Sequence, residues 1–177
     1  MEMSNGPPIM ESEEAKKEIL NSLFQTINVA KEHYKDLVKT TQTVYPGFEF
    51  GHYDVHHLPF LKIDKSIEEA DLWSIIQLLR KYSAVLNHMT QGEQLEEEYR
   101  LSIMQARWNI DQLVDYATFM ARIMEEKDVT DEGPLVLPDE LKLASSPSKR
   151  QRRDILTIRD YGKLLCYIEN VLMQYNV

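Results

Sequence analysis

The segment "EFGHYDVHH" carries residue types that readily bind transition metals. His52, His56 and His57 occur there together with Asp54 and Glu49. Structural zinc sites draw Cys or His ligands from closely spaced pairs in two clusters, and this spacing matches no such pattern. A di-iron bundle needs Glu-x-x-His on facing helices, whereas the match from Glu49 to His52 falls in a loop. We therefore predict a solvated or packing loop, without a metal or a cofactor.

No motif for catalysis accompanies this histidine segment. The sequence contains no Gly-rich phosphate loop, no nucleophile elbow and no Cys–His arrangement. A net charge of −9 disfavours nucleic acid as the main partner, because phosphate binding depends on concentrated Lys and Arg. No stretch has the length and apolar content of a membrane span or a signal peptide. We predict a protein that is not an enzyme and does not insert into membranes.

Length and composition are those of one globular domain. The chain has 177 residues, 43% of them hydrophobic, so it can bury a sizeable core without a metal or a disulfide. Its only cysteine, Cys166, cannot form an intrachain disulfide, and it leaves both the compartment and any intermolecular disulfide open. We predict a flexible segment over residues 1–11 and a single domain over residues 12–177.

Four long stretches have apolar residues at helical spacing, and we name the predicted helices A to D. An S-x-x-E pattern, Ser66 to Glu69, predicts a capping box at the start of helix B. The predicted bounds are Ser12–Tyr45 for helix A, about Ser66–Met89 for helix B, about Glu93–Glu126 for helix C and about Lys149–Gln174 for helix D.

The lengths of the connections limit how these helices can be arranged. Helices B and C are separated only by "TQG", which reaches ~10 Å, so the two helices must be antiparallel neighbours. The connections from A to B and from C to D can reach ~60 Å and ~75 Å, enough to run back along a whole helix. We predict an all-α, up-up-down-down four-helix bundle with two long crossover loops.

Trp108 faces away from the core that its neighbours on helix C form. The apolar stripe of this helix centres on Ala106 and Ile110, and Trp108 lies about 180° away from it. Either a loop or the N-terminal segment covers this outer face, or the face binds a protein partner. The other large apolar residues on it are Leu101, Met104 and Phe119, and the polar residues of helix A predicted beside it include Gln25, Asn28 and Glu32.

The stretch "SKRQRRD" places four cations near the start of helix D, where the helix dipole disfavours positive charge. They fit a solvated loop end, a nuclear localisation signal, a processing site or a contact for an acidic partner, and the sequence leaves these alternatives open. Leu156, one turn further on, is predicted to lie opposite the core stripe of helix D.

Three segments together resemble a known family. They are "HYKDLVKTTQTVYPGFEF" at the end of helix A, "DLW" at the entry to helix B, and "LTIRDYGKLLCYIENVL" in helix D. The chain resembles long-chain four-helix cytokines of the interleukin-six type, nearest the branch of ciliary neurotrophic factor, cardiotrophin and cardiotrophin-like cytokine. The resemblance covers most of the chain, but it consists of patterns and not of signature motifs.

The resemblance implies a ligand that cross-links receptor chains through up to three surfaces. The first uses the outer faces of helices A and C, around Trp108. A Phe-x-x-Lys element marks the third surface in this branch, but Gln151 and Asp154 stand at the corresponding positions here. The second surface is assigned Leu58, Phe60, Lys62, Tyr167, Asn170 and Gln174, and the third is assigned Arg150, Arg152, Arg153, Leu156, Phe48 and Phe50.

These observations predict a secreted, monomeric ligand that assembles two or three cytokine receptor ectodomains and so triggers signalling inside the cell. Export would then follow removal of a leader or an unconventional route. The alternative is a cytoplasmic or nuclear helical adaptor, favoured by Cys166, the missing leader and "KRQRR".

Overall fold

The structure, a computed structural model, describes residues 9–53, 56–91, 95–124, 135–142 and 146–175, with side chains from residue 13 onward. Regular structure in these ranges is entirely helical, and four of the helices are long. The helices are α1 Ile9–Val44, α2 Leu72–Met89, α3 Glu97–Met124, α4 Asp139–Lys142 and α5 Pro147–Met173, with single 3-10 turns at Phe50–Tyr53 and Pro59–Leu61. The predicted all-α class is confirmed, and the four long helices are compatible with a helical bundle.

Helix α2 begins one turn later than the sequence predicts. Its N-cap is Asp71, whose carboxylate accepts a hydrogen bond from the Ser74 backbone N–H at 2.8 Å. The Ser74 hydroxyl in turn accepts from the Asp71 backbone N–H, which completes a capping box. Ser66 and Glu69 instead form a turn just before the helix, where the Glu69 N–H donates to the Ser66 hydroxyl. The prediction of a cap at Ser66 is wrong, because two capping signals follow one another and the later one adjoins the apolar run.

Other helix ends also differ from the predicted bounds. Residues 9–11 already belong to α1, whereas the rest of the predicted flexible segment lies outside the described residues. Helix α3 begins at Glu97, so the link from α2 is longer than "TQG". Helix α5 begins at Pro147, with the Ser146 hydroxyl accepting from the Lys149 N–H as its N-cap. The short helix α4 in the second crossover was not predicted.

Side chains from all four long helices form one continuous core. The predicted stripe of α3 is buried at Tyr99, Ala106, Ile110, Leu113, Ala117 and Met120, and that of α5 is buried at Ile158, Tyr161, Leu165, Ile168 and Leu172. Leu61, Leu137 and Leu141 of the crossovers join this core, so both long connections pack on the helices. Met124 was predicted to belong to the same stripe of α3 but is exposed, and Leu156 of α5 is buried contrary to the prediction, so helical periodicity located most of the interior of these helices and not all of it.

Helix α1 packs against α3 and α5, and α2 packs against the same two helices. Residue pairs between these helices occur in opposite order along the two partners. Lys31 contacts Glu169 and Tyr45 contacts Asp154 between α1 and α5, while Ser83 contacts Asp111 and Asn87 contacts Arg107 between α2 and α3.

A glycine allows α1 and α5 to approach closely at mid-length. A Cβ atom on Gly162 would overlap Cζ of Tyr34, so no larger residue fits there unless the tyrosine moves. The Tyr34 ring meets the Tyr161 ring edge-on, with 5.9 Å between their centroids. Glycine here is explained by packing, since its backbone is that of an ordinary helix.

Candidate functional site

Four large apolar side chains are exposed on the outer face of α3, as the helical spacing predicts. Leu101, Met104, Trp108 and Phe119, here called the α3 stripe, are 53%, 48%, 56% and 56% exposed. They follow each other at intervals of one or more helical turns on the side of α3 away from the core. None of the segments that the structure describes covers Trp108, and its neighbours Arg107 and Asn109 turn inward. Leu101, Met104 and Trp108 occupy successive turns, and Phe119 lies about three turns further along the same face. Large apolar residues exposed together on one face are characteristic of a binding surface.

Helix α1 borders the α3 stripe. Nε2 of His33 lies 3.4 Å from the hydroxyl of Ser102, which fixes the level at which the two helices meet. Val29, one turn before His33 on the same side of α1, is 54% exposed. Val29 was not predicted as part of this surface, because a single apolar residue on a polar face carries no periodic signal. The predicted polar neighbours, Gln25, Asn28 and Glu32, are all exposed.

Two buried polar groups lie in the seam between α1 and α3. Nδ1 of His33 and Nδ2 of Asn109 are both buried without a hydrogen-bond partner in the described part of the chain. Burial lowers the pKa of His33 below its ordinary value of 6.5, and the nearby carboxylate of Asp36 opposes this shift. The seam beside the α3 stripe therefore contains a histidine for which the charged form is disfavoured.

Tyr167 of α5 meets the end of the first crossover, as predicted for the second surface. Its hydroxyl donates to the Lys65 carbonyl at 3.0 Å. A groove of about 280 Å³ lies beside it, lined in part by Lys62 and Trp73. Nζ of Lys81 lies 5.4 Å from the centroid of the Phe60 ring, at a distance typical of a cation–π contact. Asn170 and Gln174 are exposed further along α5.

Leu58 does not belong with this group. It lines a different cavity, of about 440 Å³, together with His57, Lys149 and Arg152. This cavity lies at the start of α5, because the first crossover passes that end before it reaches Tyr167. The prediction that Leu58 accompanies the end of α5 is therefore corrected to its start.

The start of α5 departs most from the sequence analysis. All seven residues of Arg153–Arg159, here called the buried α5 segment, are buried. Leu156 is 0% exposed, so the prediction that it faces outward is wrong. Arg153 is also buried and cannot contribute a free charge to a surface. The physical reason is tertiary, since α4 and the first crossover pack on this side of α5 and cover what would be a solvent face.

A buried carboxylate organises this region. Oδ2 of Asp154 accepts hydrogen bonds from the hydroxyls of Tyr45 at 2.8 Å and Tyr99 at 3.4 Å, while Oδ1 accepts from Nε of Arg153 at 3.0 Å. Nη1 of Arg153 donates to the Leu141 carbonyl in α4. Burial raises the pKa of the Asp154 carboxyl, and Arg153 and the two hydroxyls oppose that rise. Asp154 of α5 thus contacts α3 and the residue that directly follows α1, and its neighbour Arg153 contacts α4.

Arg159 performs a similar role at the other end of the buried α5 segment. Its guanidinium donates to the carbonyls of Tyr53 and His56 in the first crossover, at 2.7 Å and 2.9 Å. Nε of Arg159 donates to the Asp160 carboxylate at 2.8 Å. These bonds fix the crossover on α5, a role that the sequence analysis did not assign.

Of the remaining residues predicted for the third receptor surface, some are exposed and others are buried. Arg150 and Arg152 are exposed, and with Lys149 they form what we call the basic cluster. Phe48 is buried against Phe50, with 5.2 Å between the ring centroids, so Phe48 is not accessible as predicted. Phe50 is half-buried against the core. The basic cluster is thus the accessible part of the predicted third surface.

The histidine segment does not assemble a metal site among its described residues. Nε2 of His52 lies 3.6 Å from the Glu49 carboxylate, and both side chains are well exposed. Asp54 lies outside the described residues. In the ranges that the structure describes, no three His, Cys, Asp or Glu side chains are grouped as metal ligands. Lys and Arg side chains line both cavities at the start of α5.

The chain matches no protein-family model, no curated protein and no solved structure. None of the described helices combines the length and the apolar content needed to cross a lipid bilayer.

Proposed function

We propose that this chain is a secreted signalling ligand of the helical cytokine kind, which acts by bringing receptor ectodomains together. The proposed bundle is up-up-down-down with two long crossover loops. The opposite order of residue pairs supports antiparallel packing of α1 with α5 and of α2 with α3. Packing of α1 and α2 on both α3 and α5, with long connections after α1 and α3, supports the same topology.

The exposure of Trp108 is the single observation that carries the proposal. The side chains of the α3 stripe do not belong to the hydrophobic core of the described residues, and about half of each is exposed. Tryptophan and other large apolar residues in such a position are typical of the centre of a protein interface. The proposed first receptor surface comprises the α3 stripe with Gln25, Asn28, Val29 and Glu32 of α1.

Two further surfaces complete the proposal. The second comprises Tyr167, Asn170 and Gln174 of α5 with Phe60 and Lys62 of the crossover, where the bond from Tyr167 to Lys65 supports their proximity. The third is reduced to the basic cluster with Leu58 and Phe50, since Arg153, Leu156 and Phe48 are buried. A ligand of this kind needs no enzymatic step, because assembly of the receptors is itself the signal.

A binding screen of the chain against isolated cytokine-receptor ectodomains tests the proposal. We expect at least one ectodomain to bind and to lose about thirtyfold in affinity with Trp108→Ala, equivalent to ~2 kcal/mol. Tyr167→Ala should weaken a different ectodomain and leave the first unaffected. Val136→Ala is the matched control, because Val136 is an exposed apolar residue outside the three surfaces.

Failure would take a recognisable form. If no ectodomain in the panel binds and the protein, expressed with a tag, stays in the nucleus, the ligand proposal is wrong and a nuclear adaptor is the better description. If Trp108→Ala and Tyr167→Ala weaken every ectodomain equally, the chain binds through one surface, and the assignment of separate surfaces is wrong.

A further inference from the structure

Carboxylates border the α3 stripe on both helices that form this surface. On α3, Glu97 lies one turn before Leu101, and Asp115 lies between Trp108 and Phe119 on the same side of the helix. On α1, Asp36 follows His33 by one turn. These three carboxylates are exposed, and none of the ion pairs among the described residues includes them.

Few free cations compensate these carboxylates. Lys35 forms an ion pair with Glu32 on α1 at 3.0 Å. Arg107 turns to the opposite side of α3, where its guanidinium donates to Asn87 of α2. Lys39, one turn after Asp36 on α1, and Arg122, at the far end of α3 beyond Phe119, are exposed cations that belong to none of the ion pairs among the described residues. Neither forms an ion pair with Glu97 or Asp115, so on the α3 side the apolar centre of the surface is bordered by carboxylates without an ion-pair partner.

We propose that the occupant of this surface is a protein with an apolar pocket surrounded by Arg and Lys side chains. The inference rests on the proposed function and adds the chemistry of the receptor that contacts Trp108. Complementary charges at the border of an interface accelerate association and exclude wrong partners. Guanidinium and ammonium groups opposite Glu97, Asp115 and Asp36 supply that complementarity.

The same charges disfavour a second copy of this chain as the occupant. A twofold dimer through the α3 stripe would bring the border of one copy against the border of the other. Carboxylates would then face carboxylates, in a chain whose net charge is already −9. Like charges that meet in an interface cost several kcal/mol, so the apolar surface is suited to a basic partner.

The distinguishing consequence is kinetic. Charges at the border act mainly on the association rate, whereas the buried apolar centre acts mainly on dissociation. Trp108→Ala should thus raise the dissociation rate, and removal of the border carboxylates should slow association. The second effect should shrink as salt is added, because exposed charges are screened over about 10 Å at ~0.1 M ionic strength.

The test compares two variants with the same net charge in surface-plasmon measurements on the ectodomain that Trp108→Ala weakens in the screen. The border variant is Asp36→Asn with Glu97→Gln and Asp115→Asn. The control variant is Glu68→Gln with Asp139→Asn and Glu140→Gln, three exposed carboxylates of the crossovers. We expect about a tenfold slower association for the border variant at low salt, an unchanged dissociation rate, and little change for the control.

Each contrary result has a separate meaning. If both variants associate equally slowly, only total charge matters, and the proposed basic border is wrong. An ectodomain that loses affinity with Trp108→Ala but associates independently of salt and of both variants would overturn this inference and leave the proposed function standing. If no ectodomain binds, the proposed function is wrong, and this inference, which rests on it, is wrong too. Concentration-dependent dimerisation that Trp108→Ala abolishes would identify a second copy as the occupant and overturn the inference.

Discussion

The α3 stripe and the buried α5 segment both break the usual rule that apolar side chains lie inside and charged ones outside, but in opposite ways. Trp108 is apolar and 56% exposed, whereas Asp154 is charged and 2% exposed. Asp154 accepts hydrogen bonds from Tyr45 just after α1, from Tyr99 of α3 and from Arg153 of α5, whereas more than half of the Trp108 side chain is exposed. A satisfied polar group inside the protein indicates a structural role, while an uncovered apolar group outside indicates a partner.

This comparison separates stability from binding. Substitutions in the buried α5 segment should change the free energy of unfolding, because they leave buried groups without partners. Substitutions in the α3 stripe should leave that energy nearly unchanged and affect only recognition.

The largest effect on stability should come from Asp154→Ala. It leaves the Arg153 guanidinium buried without its carboxylate and removes the acceptor from the Tyr45 and Tyr99 hydroxyls. Loss of one member of a buried ion pair costs roughly 3–5 kcal/mol, which urea denaturation would measure. Asp115→Ala, on the exposed side of α3, should stay within about 0.5 kcal/mol of the unmodified chain. Equal losses for the two variants would show that Asp154 has no special structural role.

Removing the hydroxyl of either tyrosine that contacts Asp154 should lower stability by a smaller amount, which should differ between the two. Tyr45→Phe removes a hydrogen bond of 2.8 Å to the carboxylate, and Tyr99→Phe removes one of 3.4 Å. Hydrogen bonds to charged groups contribute about 1.5–3 kcal/mol, and the shorter bond should be the stronger. We therefore expect Tyr45→Phe to lower the urea midpoint more than Tyr99→Phe, and the reverse order would contradict this geometry.

The stability of the fold should depend on pH through His33, which lies in the seam beside the α3 stripe. Burial lowers the pKa of His33 in the folded chain below the unfolded value of 6.5. Above that pH both states are neutral, and as the pH falls below it the unfolded state binds the proton first, so the fold loses stability. His33→Gln should reduce the loss in urea midpoint between about pH 7 and about pH 5. An identical loss in both chains would exclude His33 as a contributor.

Charge reversal in the basic cluster should have the smallest effect on stability. Arg150→Glu with Arg152→Glu replaces exposed cations near the start of α5, where the helix dipole disfavours them. We expect an unfolding midpoint that is unchanged or slightly higher. Arg153 is left intact, because it is buried against Asp154. A marked loss of stability would mean that these exposed arginines share the structural role of the buried α5 segment.

The sequence predicts a residue's exposure well where its own helix decides that exposure, and poorly where a distant segment packs on it. Helical periodicity gives the direction of a side chain from its own helix axis, and this was enough to place Trp108 outside and Ile110 inside. It cannot report what packs against the other side of a helix. Leu156 and Arg153 were therefore assigned to the surface, although α4 and the first crossover cover them.

The same limit applies to the contacts inside each region. The partners of Asp154 come from positions 45 and 99, and no local spacing connects such distant residues. The cap of α2 is a different case, since both Ser66 and Asp71 fit a capping pattern and only the packed helix selects Asp71. Val29 gave no periodic signal, so the α1 side of the candidate surface was recognised only in part.

The most direct test of the separation between surface and core is urea denaturation of Trp108→Ala beside Ile110→Ala. The two residues are close in sequence on α3, but Trp108 is 56% exposed and Ile110 is fully buried. We predict that Trp108→Ala changes the free energy of unfolding by less than about 0.5 kcal/mol, and that Ile110→Ala lowers it by roughly 2–5 kcal/mol. A loss for Trp108→Ala as large as that for Ile110→Ala would place Trp108 in the core and contradict the α3 stripe as a binding surface.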